Sequence, residues 1–281
     1  MKLVQITDTH ISYLGGSPTA NAARIVEFIN ELAPDLVVHT GDVTILDPDE
    51  DRDRVAAKEV LAGIVAPLRV LPGNHDVGEP GDDPFGDRPV TSDRVAAFRA
   101  HFGLDRFVEI VDGWAIVGLN SELFDSGLPE EDEQWAWIET LPAQAGPRPV
   151  VLFTHKPVWA YAPEYQNTHL TIGPQSLPRF EAVLAQLDVR AFGSGHLHRY
   201  ALSEREGAVV VSAPSTAFVH RTAVSADVIG PGLTQLGVVE YQLDDRVLPV
   251  FRAPIDIVEP EFLEVEQARI ALDAMGVTLP A

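Results

Sequence analysis

The stretch Gly73-Asn74-His75-Asp76 places an amide, an imidazole and a carboxylate side by side just after the apolar residues Leu68, Val70 and Leu71. Polar side chains at a strand end need partners, and at the carboxyl edge of a strand the usual partner is a ligand or a metal. Four other strand ends have the same character: Asp8-Thr9-His10 after residues 3–6, Gly41-Asp42 after 36–38, His155 after 150–153, and Gly195-His196-Leu197-His198 after 189–192. Asp8, His10, Asp42, Asn74, His155, His196 and His198 can all ligate metal. Their oxygen and imidazole donors suit Mn, Fe or Zn better than Mg or Ca, which favour all-oxygen shells. The set is too large for one ion and serves two if a carboxylate bridges, with Asp42 as the candidate bridge.

Short buried strands alternating with helices must position these residues. Residues 3–7 read as a strand, followed by a helix with Ser17 or Thr19 as cap, Pro18 in its first turn, and Ile25, Val26, Phe28, Ile29 and Leu32 on one face. Residues 36–40 form a second strand. A helix over about 49–64 turns Val55, Ala56, Val60, Leu61 and Ile64 inward, and residues 68–71 form a third strand. This alternation predicts right-handed crossovers and a parallel sheet. Residues 77–91, rich in Gly, Pro and Asp, read as a long loop placed to hold substrate. A helix over 92–102, a hairpin turning at Asp112-Gly113, a helix over 130–141 and a buried strand at 150–153 follow. A second long loop, 156–178, carries Trp159, Tyr161, Tyr165 and His169, and a helix over 177–187 leads into the strand before Gly195. From residue 199 the pattern is strand-rich to 252, and an acidic helix over 260–275 closes the chain with Glu264, Glu266 and Asp273 in solvent. With no domain boundary evident, the expectation is one α/β domain over residues 1–281.

Composition narrows the partners. A formal net charge of −22 repels polyanions, which argues against extended nucleic acid or an acidic membrane surface and leaves small phosphate esters open. Bound cations can reverse the sign locally. The chain has no cysteine, so no thiolate metal site, and no apolar run approaches the ~20 residues of a membrane helix. The expected location is cytoplasmic.

The ordered series Asp-x-His, Gly-Asp, Gly-Asn-His-Asp, His and Gly-His-x-His, running from Asp8 to His198, resembles the calcineurin-like metallophosphoesterases. The resemblance implies two packed mixed β-sheets flanked by helices. It also implies one metal on Asp8, His10, Asp42 and His198, another on Asp42, Asn74, His155 and His196, and His75 beside the bound phosphate. Two ions ~3.5–4 Å apart share and acidify a water, aim it in line at phosphorus and clamp the phosphoryl oxygens. His75 would hydrogen-bond a phosphate oxygen and protonate the leaving alkoxide, with Asn74 and His169 contacting substrate and Asp76 tuning a nearby imidazole.

The segment Gly41-Asp42-Val43-Thr44-Ile45-Leu46-Asp47 lacks the arginine of the family's protein phosphatases, the fork that grips a phosphomonoester dianion. The pattern is closer to class III cyclic nucleotide phosphodiesterases and related glycerophosphodiesterases, which often show His-His-Pro where this chain has His155-Lys156-Pro157. Lys156 either faces away from substrate or adds charge near it. Cyclic nucleotide hydrolysis is the leading expectation. Glycerophosphodiester or phosphomonoester hydrolysis at the same metals comes next, and a non-catalytic scaffold is remote because no ligand is missing. His39 reads as a satisfied interior residue, and His101 and His220 as surface positions. Trp159, Tyr161 and Tyr165 either stack on a base, pack on the core or form a subunit contact in a homo-oligomer.

Overall fold

The computed structural model describes residues 1–81, 88–221 and 223–274. Strand β1 (Lys2–Ile6) is followed by α1 (Gly16–Leu32), β2 (Leu36–Thr40), α2 (Asp51–Leu61), β3 (Leu68–Leu71), α3 (Asn74–Val77) and α4 (Ser92–Phe102). Next come β4 (Phe107–Val111), β5 (Trp114–Gly118), α5 (Pro129–Ile138), α6 (Leu141–Ala145), β6 (Pro149–Phe153), α7 (Leu177–Leu184) and β7 (Asp188–Ser194). The last part comprises β8 (Tyr200–Arg205), β9 (Ala208–Ser212), α8 (Ala223–Ile229), β10 (Gly232–Leu233), β11 (Val238–Leu243), β12 (Val247–Arg252) and α9 (Glu266–Ala274).

Two mixed sheets result, ordered β12-β11-β1-β2-β3 and β10-β8-β9-β7-β6-β5-β4. Strands β1, β2 and β3 run parallel, as do β5, β6, β7 and β9, so their carboxyl ends point to one side in each sheet. Alternation along β1 and β2 explains the layering. Leu3, Leu36 and Val38 join Val151, Phe153, Ala191 and Tyr241 in the core between the sheets. Val4, Ile6 and Val37 point the other way, onto Ile25, Ile29, Ala57 and Phe98 of α1, α2 and α4. Trp135, Ile138 and Phe180 of α5 and α7 cover the outer face of the second sheet. The fold is the two-sheet, helix-flanked sandwich that the resemblance implied.

One polar seam crosses the inter-sheet core. The Gln5 amide donates to Thr40 Oγ1 (2.9 Å) and the Ser194 carbonyl (3.1 Å), and Tyr241 donates to Gln5 Oε1 (2.6 Å). Each partner offsets the cost of burying the amide, and the seam ties β1, β2, β7 and β11 just beneath the site.

Several boundaries differ from expectation for local reasons. Helix α1 begins at Gly16 with Gly15 as N-cap and no side-chain cap, because Thr19 Oγ1 donates to the Ser12 carbonyl instead. Helix α2 is shorter than expected, capped by Glu50, and its Val55 is exposed while Ala57 and Leu61 carry the buried face. Helix α8 and strand β10 were not foreseen. Residues 82–87 of the first long loop, and the expected end of the closing helix at 275, lie outside the described residues. Helix α9 is more than a solvated face: Gln267, Ala268, Ala271 and Leu272 are buried.

Candidate metal centre and cavity

Five parallel strand ends, β1, β2 and β3 from one sheet and β6 and β7 from the other, meet at one rim. Backbone bonds knit their loops: Asp8 N to Gly41 O (2.9 Å), His10 N to Asp42 O (3.0 Å) and Gly195 N to His155 O (2.8 Å). Asp8, His10, Asp42, His196 and His198 all have positive φ, between 46° and 70°. Left-handed backbone is disfavoured for such side chains and persists where the surroundings enforce it, most often at functional sites. The glycines allow the loops to touch. A Cβ on Gly73 would collide with the Asp42 carboxylate and lie 2.7 Å from His155 Nε2, and one on Gly195 would collide with Thr7 Oγ1 and lie 2.6 Å from Asp8 Oδ2.

The donors form overlapping groups, Asp8–His10–His198, His10–Asp42–His75 and Asp42–His155–His196, each with its ligand atoms within 4.8 Å of one another. Main-chain carbonyls set the imidazoles. His155 Nδ1 lies 2.8 Å from Thr40 O, and His198 Nδ1 lies 3.1 Å from Phe218 O. A proton on each Nδ1 leaves a lone pair on each Nε2, directed into the site. His155 Nε2 lies 3.4 Å from Asp42 Oδ2 and 3.2 Å from Asn74 Oδ1, while His198 Nε2 lies 3.2 Å from Asp8 Oδ1 and 3.1 Å from His10 Nε2. His196 reverses the pattern: its Nε2 meets the His169 carbonyl at 2.8 Å, leaving Nδ1 for the site. Asp42 Oδ2 lies between the two halves, 3.8 Å from His10 Nε2 on one side and near His155 on the other.

These residues fit metal ions on the structure's own terms. Asp8 Oδ1 is buried with no hydrogen-bond partner, and around it converge lone pairs without donors. Such a cluster is costly unless a cation lies among them. Burial works against the Asp8 and Asp42 carboxylates; without an ion, positive charge on the surrounding imidazoles, foremost His198 beside Asp8 and His155 beside Asp42, outweighs it and keeps both well below the ordinary carboxylate range, and a bound cation would take over that role.

His75 lies edge-on to His10, with ring centroids 4.9 Å apart. Its Nδ1 lies 3.2 Å from the Ile45 carbonyl, which leaves Nε2 for the cavity that His75 lines. Burial lowers its pKa even though Asp42 opposes the shift. An anion bound beside the ring would add negative charge and oppose that shift.

The hydrogen bonds of Asp76 go to the main chain and to Thr44 and not to an imidazole. Its carboxylate accepts from the backbone of Val43, Thr44 and Gly73 (3.0, 3.0 and 2.9 Å) and from Thr44 Oγ1 (3.0 Å). It is a strut between the Asp42 and Gly73 loops. His39 is buried against Thr9 Oγ1 (2.9 Å). His101 is half-buried beside Asp51. His220 is also half-buried, and it lines the cavity instead of lying on the surface. Trp159, Tyr161 and Tyr165 do not line this cavity. Trp159 packs on Phe192 and donates to Glu181 (2.8 Å), and Tyr165 reaches Asp227.

The cavity beside the centre encloses about 420 Å³ and is lined by Asn74, His75 and His169 together with residues that sequence reasoning missed. Arg88 is one, a guanidinium in the cavity wall although the Asp42 segment lacks an arginine. It lies 3.8 Å from Asp47 and 3.4 Å from the Ala271 carbonyl. Its loop has no periodicity that would have marked it. Lys156 faces away from the cavity. Fully buried, it pairs with Glu79, with Glu122 (2.7 Å) and with the Thr168 carbonyl (2.8 Å). Burial disfavours this ammonium, but the two carboxylates raise its pKa and keep it charged. Glu79 also lies 3.4 Å from His169 Nδ1, so the clamp holds the loop whose carbonyl orients His196.

Fold and donor set together define a candidate metal centre at the carboxyl rim of two sheets. Residues 1–200 match the calcineurin-like phosphoesterase family, and the chain belongs to it. It is therefore a hydrolytic enzyme, of a family that works through a dinuclear metal centre. It is 29% identical over 241 residues to a probable glycerophosphodiester phosphodiesterase of Arcobacter nitrofigilis, spanning 80% of this chain and 81% of that one. It is likewise 29% identical over 232 residues to a 3',5'-cyclic adenosine monophosphate phosphodiesterase of Pseudomonas aeruginosa, spanning 76% and 75%. Among solved structures, a dimetal phosphatase from Danio rerio superposes with a TM-score of 0.61 at 13% identity, over 92% of this chain and 97% of that one, a likeness of fold alone.

Proposed function

We propose that the protein hydrolyses small phosphodiesters, cyclic nucleotides foremost, with two transition-metal ions (Mn, Fe or Zn). Asp8, His10, Asp42 and His198 would hold one ion, and Asp42, Asn74, His155 and His196 the other. The observation that carries this reading is Asp42 Oδ2, set between two groups of inward lone pairs at the floor of a cavity. When bound, the ion pair supplies Lewis acidity to the phosphoryl oxygens and acidifies water. The chain's own part is positioning. Carbonyls fix the ligand imidazoles, Asp76 holds two ligand loops together, and Asn74 and His75 meet the phosphate. His75 Nε2 exchanges the proton that the leaving alkoxide needs. The cytoplasm is the compartment we assign, in keeping with the cysteine-free composition.

Arg88 favours a second reading at the same centre, phosphomonoester hydrolysis, because a guanidinium pairs with a dianion. Manganese-reconstituted protein should turn over cyclic AMP and bis(p-nitrophenyl) phosphate faster than p-nitrophenyl phosphate, and contain two ions per chain by mass spectrometry. Asp42→Ala should remove both activities. Undiminished turnover in that variant would refute the assignment, and faster monoester turnover would select the second reading.

A further inference from the structure

The family match ends at residue 200, yet the cavity wall facing the metal donors comes from beyond it: Phe262, Ala268, Ala271 and Leu272, with His220 and Ser225. This wall is fixed in place. Gln267 Nε2 of α9 donates to the Gly15 carbonyl (2.9 Å), and Arg88 Nη2 reaches the Ala271 carbonyl (3.4 Å). Val265 and Ala268 pack on Ile45, Leu46 and Phe218. An aromatic column joins wall to centre: Phe218 stacks on His10 at 4.8 Å, Phe262 lies 5.2 Å from Phe218, and His220 lies 5.1 Å from Phe262.

We propose that Phe262 and the Ala268–Ala271–Leu272 face of α9 form the specificity wall, which receives the flat arm of a nucleoside phosphate and disfavours glycerol-type arms. The inference rests on the reading of the site as a phosphoesterase centre. A nucleobase offers apolar faces that an aromatic ring and small aliphatic side chains accept. Glycerol offers hydroxyls, each needing a partner when buried. Of the six residues of this wall, His220 and Ser225 alone have polar side chains, against the four apolar ones. Alanine at 268 and 271 leaves room beside the ring, which larger side chains would fill.

The test uses metal-loaded protein and two product-like ligands that bring the same phosphate to the centre with different arms. Calorimetry should find adenosine 5'-monophosphate bound at least about tenfold more tightly than glycerol 3-phosphate. Phe262→Leu, which keeps bulk but loses the ring face, and Ala271→Leu, which fills the space, should each weaken the nucleotide about five- to tenfold and leave glycerol 3-phosphate within about twofold. Circular dichroism and metal content confirm that each variant is folded and loaded. Equal affinity for the two ligands, or equal loss of both in the variants, overturns the proposal. If the nucleotide is selected but no ester is hydrolysed, the wall stands and the catalytic reading fails. If esters are hydrolysed without selection, the reverse holds.

Discussion

His75 shows how much one imidazole's setting decides. Its Nδ1 faces the Ile45 carbonyl and its backbone N–H donates to Asp42 Oδ1 (2.9 Å), so the ring is oriented from both ends. A group so placed matters most when the leaving oxygen is basic. His75→Ala should lower kcat about 10²–10³-fold on cyclic AMP and far less on bis(p-nitrophenyl) phosphate, whose leaving group needs no proton. The two metals should remain bound, and a loss of one ion in this variant would make His75 a ligand instead. Gly73 belongs to the same scale. Gly73→Ala should reduce metal content and activity together, because its Cβ would occupy the space of the Asp42 carboxylate. Every ligand candidate was legible in the sequence because each follows a short apolar run. Arg88, Glu79 and Phe262 were not, since a side chain brought in by a loop or by the last helix leaves no periodic trace. The pairing of Asp76 with backbone amides was equally hidden, because a motif records a residue's type and not its partners.

At the scale of elements, the order of β1, α1, β2, α2 and β3 could be read from apolar spacing, and so could the hairpin at Asp112-Gly113. Helix α8 and strand β10 escaped because tertiary placement, not local pattern, stabilises so short a segment. The loop between β6 and α7 depends on buried charge. Removing Lys156 would leave Glu79 and Glu122 facing each other without a counter-ion, so Lys156→Met should cost on the order of 3–5 kcal/mol in denaturant unfolding. The pH dependence has a definite sign. Burial alone would raise Glu79, but Lys156 and His169 bring it down to about 2, below its ordinary 4.5. A depressed carboxyl stabilises the fold fully above the unfolded value and loses that contribution as pH falls toward the folded one. Metal-free protein should therefore lose stability between pH 4.5 and 2, and Glu79→Gln should flatten that limb. An unchanged acid limb would remove Glu79 from the ion network.

For the whole molecule, a formal charge of −22 surrounds a centre built to receive cations. No helix among the described residues is long and apolar enough to cross a membrane. Metal should act as a folding ligand. Saturation at a thousand times the dissociation constant contributes about 4 kcal/mol per site, which for a chain of this size corresponds to roughly 10 °C in Tm. Chelation should reverse the gain, and a Tm indifferent to chelator would mean that the inward lone pairs are satisfied some other way.

Two of the three donor groups draw from both sheets. Asp8 and His10 follow β1 while His198 follows β7, and Asp42 follows β2 while His155 and His196 follow β6 and β7. Neither half of the chain can complete both of these groups alone. In a refolding time course, the full complement of bound cations would therefore be reached only when the sheets dock, and the spectrum of bound cobalt would serve as a clock for that last step of assembly.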